Sequence, residues 1–298
     1  MAVVVEATIG VGSGPTGVAC DEVLGKVVVT NFNAATVSVI HAASNTVSAT
    51  VGVGGQPIGI ACDESEEKTF VANFASGSVS VIHTPSNTVS ATIGVGSNPY
   101  GVWCEETLGK TYVTNYGSDS VSVIHTASDT VSATIGVGNA PHGVTCDETL
   151  GKTFVANYDS NTVSVIHTAS DTVSATIDVG NNPRGIDCDE TAGRVFVANF
   201  GSTTVTVIHT ASNTVSATVT VEASPWDVAC DETAGRVFSA NNGTNRVSII
   251  RTVALTTVLT IGVGAGPREL ESVEGAEKVF ATNFSVATVS VISGYGGC

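Results

Sequence analysis

A block of 42 residues recurs seven times along this 298-residue chain, and a repeat of that length leaves few folds open. The copy starting at Asn98 reads N-P-Y-G-V-W-C-E-E-T-L-G-K-T-Y-V-T-N-Y-G-S-D-S-V-S-V-I-H-T-A-S-D-T-V-S-A-T-I-G-V-G. Pro15, Pro57, Pro99, Pro141, Pro183, Pro225 and Pro267 keep strict register. Cysteines at 20, 62, 104, 146, 188 and 230 do the same, as do asparagines at 31, 73, 115, 157, 199, 241 and 283. Each copy resolves into four short runs of β-branched and small residues separated by turn signals. In the third copy these are strand a (Gly101–Cys104), strand b (Thr111–Asn115), strand c (Val121–His125) and strand d (Val131–Val137). Gly109 falls in the a–b turn, where a hairpin loop calls for positive φ.

A period of roughly 40 to 50 residues with this strand content predicts an all-β fold, with one blade per repeat: a seven-bladed β-propeller of four-stranded antiparallel blades. The chain ends indicate how the ring closes. Val4–Val11 matches strand d, whereas the seventh copy stops after its strand c, Thr288–Ile292. The N-terminal strand, about residues 3–11, is therefore expected to complete a blade built from about 267–293. That makes 1–298 a single propeller domain and removes the open sheet edges that invite aggregation.

Composition narrows the function. Only 13% of residues are charged and mean hydropathy is +0.30, which suits blades covered on both faces by their neighbours. No stretch approaches the ~18 consecutive apolar residues of a membrane helix. Net charge is −16, and 14 of the 27 acidic residues lie in the repeated a–b turn (Asp21/Glu22 and its counterparts), a pattern read here as serving solubility. With 11 Lys and Arg in all, binding to a nucleic-acid backbone is excluded. Met1-Ala-Val-Val-Val has neither a basic n-region nor a cleavage site, so a cytoplasmic monomer is expected.

Two periodic sets suggest chemistry at first sight. Equivalent cysteines on neighbouring inner strands would stand ~10 Å apart, beyond the ~7 Å Cα limit of a disulfide, and cannot converge on one metal ion. They read as small buried hydrophobes, reduced as in a cytoplasmic protein. Cys298 lies apart in a G-Y-G-G-C tail and reads as reactive or tag-like. Histidines 41, 83, 125, 167 and 209 occupy one site per blade at the end of strand c, where hydrogen bonding within the c–d turn is expected. The Gly-rich d–a segments precede no helix and are turns rather than phosphate loops. No metal or cofactor is implied.

Tyr112-Val113-Thr114-Asn115, followed by V-S-V-I and T-I-G-V-G-x-x-P, resembles the YVTN-type β-propeller repeat family, and variants such as F-V-A-N carry the likeness through all seven copies. The resemblance implies the propeller fold. It also places the chain near surface-layer-like proteins and, more distantly, propeller lactonases, streptogramin-type lyases and redox domains. His stands where that family commonly has Asp after V-S-V-I.

The positions out of step with their counterparts carry the functional reading. After the periodic proline stand Thr16, Ile58, Tyr100, His142, Arg184, Trp226 and Arg268. Three residues on come Ala19, Ala61, Trp103, Thr145, Asp187, Ala229 and Glu271. Asp227 and the stretch Glu269-Leu270-Glu271-Ser272 also break the pattern. The d–a and b–c connections share one face of an up-and-down blade, so this variation should gather at one mouth of the central channel. The expected ligand-binding set is Tyr100, Trp103, His142, Arg184, Asp187, Trp226, Asp227, Arg268, Glu269 and Glu271. Aromatic faces would stack and arginines would hold an anion, with a small molecule, glycan or protein loop as partner. An enzyme of lyase or lactone-hydrolase type is the alternative, with His142 as acid or base and Glu271 or Asp187 as its counterpart. A plain scaffold unit is a third reading.

Overall fold

The computed structural model describes residues 3–273 and 276–296, so Cys298 lies outside the described residues. Seven four-stranded antiparallel sheets are present, each made of consecutive strands in chain order except the one that joins the two ends. Blade 1 consists of Pro15–Asp21, Lys26–Asn31, Thr36–His41 and Thr46–Gly52. Blades 2 to 6 repeat this plan from Pro57, Pro99, Pro141, Pro183 and Pro225. Blade 7 takes Pro267–Val273, Lys278–Asn283 and Thr288–Ser293 from the C-terminal side and Val4–Gly10 from the N-terminal side. The register runs from Val4 opposite Ser293 to Gly10 opposite Thr288. The molecule is a seven-bladed β-propeller, closed as the chain ends indicated.

The core lies between blades. Strands b and c alternate V/I/F with small residues and are buried on both faces. The aromatic residue of strand b is fully enclosed in six blades: Phe70, Tyr112, Phe154, Phe196, Phe238 and Phe280. Each hydrophobic cluster joins two neighbouring blades, as where Phe154 and Val165 meet Ile186 and Val197. Strand d is the outer strand, and its T-V-S half faces solvent. The cysteines are unbridged, as expected, and Cys146 lies 3.2 Å from Thr153 Oγ1 on the adjacent strand. The five strand-c histidines each contact a serine in the c–d turn through Nδ1, at 2.8 Å for His83 and Ser86.

Polar ties repeat with the blades. Lys26, Lys68, Lys110 and Lys152 each reach over a strand-c/d turn of the next blade and donate to its backbone carbonyl, at Thr84, Thr126, Thr168 and Thr210. The a–b turn acids have a structural use that the solubility reading missed. Asp21, Asp63, Asp147, Asp189 and Asp231 each accept the amide three residues on, closing the turn. The following glutamates link blades: Glu22 N donates to Glu64 Oε1 (2.6 Å), Glu148 N to Glu190 Oε1 (2.8 Å) and Glu190 N to Glu232 Oε1 (2.9 Å). These bonds lie at the solvent-facing rim, where each carboxylate accepts a charge-assisted bond from the preceding blade.

Candidate functional site

The seven inner strands surround the channel and run from the d–a face to the a–b face. Each pairs with strand b through its proline and again from two or three residues later, with a bulge between. Bulges re-aim side chains, and in blades 3 to 6 both residues after proline line the channel. The second of these is glycine in five blades. A Cβ at Gly59 would stand 2.2 Å from the Tyr100 carbonyl oxygen, and one at Gly101 would stand 2.3 Å from that of His142. Asp227 and Glu269 occupy this position in blades 6 and 7. Blade 6 accommodates the change by moving its bulge one residue, so that Asp227 pairs with Ala240.

A cavity of about 300 Å³ runs down the channel. Nine of the ten expected binding residues line it; Arg268 is the exception, its guanidinium lying on the Trp226 and Phe284 rings. The lining falls into three tiers. Tyr100, His142, Arg184 and Trp226 form the first, at the d–a mouth. Asp227 and Glu269 form the second, and Trp103, Asp187 and Glu271 the third. With ~3.3 Å per strand residue, the third tier lies roughly 10 Å below the first. The sequence reading placed both tryptophans at one mouth, but Trp103 belongs to the deep tier and packs beside Tyr112 and Cys146. The channel therefore has two chemically different halves.

The mouth is a belt of interlocked rings. The residue after the periodic asparagine is aromatic in six blades (Phe32, Phe74, Tyr116, Tyr158, Phe200 and Phe284), and the out-of-step residues wedge between these rings. Tyr100 meets His142 at 4.1 Å between centroids, and His142 also contacts Tyr116 (5.2 Å) and Tyr158 (5.0 Å). The Arg184 guanidinium lies 3.6 Å from the Trp226 ring centre and 4.6 Å from that of Phe200. Arg268 approaches Trp226 at 4.6 Å and Phe284 at 3.4 Å. Two cations from blades 5 and 7 thus flank the indole of blade 6. The belt thins at blades 1 and 2, where Thr16 and Ile58 stand. These aromatics are legible in the sequence as one position filled by Phe or Tyr in six of the seven copies, and they are not among the expected site residues.

The mouth is electrostatically incomplete. Neither Arg184 nor Arg268 forms an ion pair among the described residues, and Arg184 Nε and Nη1 and Arg268 Nε are buried without a hydrogen-bond partner. Burial, with Arg184 nearby, lowers the Arg268 pKa to about 10. Burial and then the Arg184 charge push His142 well below its ordinary range, so its imidazole is neutral. Its Nδ1 has no partner.

The deeper carboxyls are satisfied differently. Asp187 accepts amides from Cys230 (2.8 Å) and Cys188 (2.9 Å), and Glu271 accepts that of Cys20 (3.2 Å). Asp227 Oδ2 accepts Leu270 N at 2.9 Å. Each thereby caps the free edge of the next blade's inner strand. Burial raises Asp187 to about 7 and, aided by the Asp187 charge, Glu271 to about 8. Burial also raises Glu269 to about 7, against the pull of Arg268. Asp227 is pushed well up by burial and then by Glu269. His142, Asp187 and Glu271 all line the same cavity, His142 from the residue after the periodic proline and the two acids from three residues further along their strands. Among the described residues no group of His, Cys, Asp and Glu is arranged to hold a metal ion, and no helix is long and apolar enough to cross a membrane.

No protein family model matches the chain, and no curated protein matches it in sequence. Its architecture is similar to that of Kuenenia stuttgartiensis hydrazine synthase, with a TM-score of 0.86 across 94% of this chain and 96% of that one. At 20% identity the likeness speaks for the fold. The chemistry of the mouth must be argued from its own residues.

Proposed function

We propose that this propeller binds a small carboxylate-bearing ligand at the d–a mouth of its channel, with Arg184 and Arg268 as the anion anchor. The observation that carries this reading is the pair of guanidiniums flanking Trp226 with no ion-pair partner among the described residues. The two like charges have no carboxylate in salt-bridge contact, and a bound anion would give their unbonded N–H groups charge-assisted partners. Their faces are covered by rings, which leaves the N–H edges for in-plane, bidentate recognition of a carboxylate. Tyr100 and His142 supply further wall, and the tiers below give the ligand depth. The lyase or lactone-hydrolase alternative requires His142 to act with an acid, and its unpartnered Nδ1 favours binding over catalysis.

Titration calorimetry with a panel of small carboxylates tests the proposal. Arg184→Gln and Arg268→Gln should each weaken binding at least tenfold, with unfolding midpoints close to that of the parent. A panel in which nothing binds, or in which both variants bind as the parent does, overturns it.

A further inference from the structure

The mouth holds a second departure that an anion site does not need. Directly below the arginine anchor, blades 6 and 7 replace the glycine of the other five blades with Asp227 and Glu269. Each follows a mouth residue immediately in sequence, Trp226-Asp227 and Arg268-Glu269; Trp226, Asp227 and Glu269 line the cavity, and the Arg268 guanidinium lies on the Trp226 ring beside it. One backbone step, ~3.3 Å, separates the cationic tier from the acidic one. Asp227 spends Oδ2 on Leu270 N, while its Oδ1 lies against the Cα face of Gly185.

We propose that the ligand is an α-amino acid or a close analogue, its carboxylate held by Arg184 and Arg268 and its ammonium received by Asp227 and Glu269. This inference rests on the anion-anchor reading above. An α-amino acid carries its two charges one carbon apart, which matches opposite charges on adjacent tiers. A simple carboxylate would gain from the arginines and lose to the acids beneath them.

Two further features fit this ligand. His142 is 3% exposed, lines the same cavity, and has an unpartnered Nδ1, so it offers a neutral hydrogen-bonding group that adds no charge. Tyr100 enters from the opposite wall, and its hydroxyl lies within electrostatic reach of Arg184, Glu269, Arg268 and Asp227 alike.

The charged and titratable groups facing the acid pair are Arg184 and Asp187 of blade 5, Arg268 and Glu271 of blade 7, Tyr100 of blade 3 and His142 of blade 4. In this setting both acids hold protons more tightly than usual, Glu269 with a pKa of about 7. An ammonium placed beside them favours their ionised forms, so its binding releases a proton and strengthens as pH rises from 6 to 8. A plain carboxylate does the reverse: it favours the protonated acids, takes up a proton, and binds more weakly as pH rises.

The test is calorimetry at pH 7 in two buffers of different ionisation enthalpy, with three matched series. These are L-alanine, L-leucine and L-phenylalanine; the corresponding α-hydroxy acids; and the unsubstituted carboxylates. The amino acids should bind at least tenfold more tightly than the unsubstituted carboxylates and release protons. Asp227→Gly and Glu269→Gly restore the residue of the other blades and should abolish that preference without weakening the unsubstituted carboxylates. Asp227→Asn and Glu269→Gln give the same reading with side-chain volume kept. If carboxylates bind as tightly as amino acids, or if the preference survives in the variants, the zwitterion inference fails while the anion anchor stands. If none of the three series binds and Arg184→Gln changes nothing, the anchor itself fails.

Discussion

The two ends of the channel are built from the same repeat and use polar groups in opposite ways. At the a–b face the acids recur in register, and their carboxylates accept from their own turn or from the neighbouring blade, as Asp147 does from Leu150 N and Glu190 from Glu148 N. At the d–a mouth the polar groups are out of register, and several have no partner: Arg184 Nε and Nη1, Arg268 Nε, His142 Nδ1. Buried polar groups in folded proteins are overwhelmingly hydrogen-bonded. A satisfied, repeated group is therefore accounted for by the architecture. An unsatisfied one that occurs once points to something the chain itself does not supply. Charge alone would have misled, since most of the acidity belongs to the end that is already complete.

The strongest way to break the contrast is to damage the satisfied end and look for a change at the other. Tyr295 is fully buried on Phe238 (4.7 Å) and donates to Asp231 Oδ2 at 2.9 Å, latching the C-terminal segment onto blade 6. Tyr295→Ala should cost about 3–5 kcal/mol in urea unfolding. Carboxylate affinity should stay within twofold; a larger change would tie the two ends together.

At the mouth the balance should invert. Replacing Arg268 with threonine, the residue of blade 1, should weaken carboxylate binding at least tenfold, about 1.4 kcal/mol. Unfolding stability should change by less than about 1 kcal/mol, because the lost ring contacts are offset by removal of a like charge beside Arg184. A large loss of stability with affinity intact would make Arg268 a structural residue.

The deep acids lie between these extremes and are best probed by pH. Asp187 rises from an ordinary 3.8 to about 7 on folding, and Glu271 from 4.5 to about 8. A carboxyl that binds its proton more tightly when folded stabilises the protein at low pH, and that contribution is lost as pH rises through the folded value. Stability should thus fall between about pH 4 and 8, by an amount on the order of 1–2 kcal/mol given that both groups open onto the channel. The double variant Asp187→Ala/Glu271→Ala, which copies blades 1, 2 and 6, should flatten that slope in denaturant titrations across the range. An unchanged slope would assign the pH dependence elsewhere.

The smallest effect expected is at the regular end. Five blades carry glycine at the last position of the a–b turn, with φ near 60°, whereas Glu67 adopts φ 53 at the corresponding site. An L-residue in the left-handed region costs about 1 kcal/mol, so Glu67→Gly should raise stability by up to about 1 kcal/mol. Thermal unfolding checks it, with ligand affinity as the unaffected control.

What could be read from the residues follows from periodicity. A repeat fixes strand order, turn positions and ring closure because each unit meets only its neighbours, and so the match of Val4–Gly10 to strand d was enough to assign it to the last blade. The same logic set aside the cysteines and the five strand-c histidines as architecture, and it flagged the residues after each proline. It could not assign depth. Tyr100 and Trp103 differ by three positions in one strand, yet one joins the belt of rings and the other packs against the buried cluster of Tyr112 and Cys146. Nor could it show that Arg184, Trp226 and Arg268, each 42 residues from the next, stack into one unit. The repeat determined the ring. Closing the ring brought non-equivalent side chains from seven blades around one axis, and only there does it become clear which charges have partners and which do not.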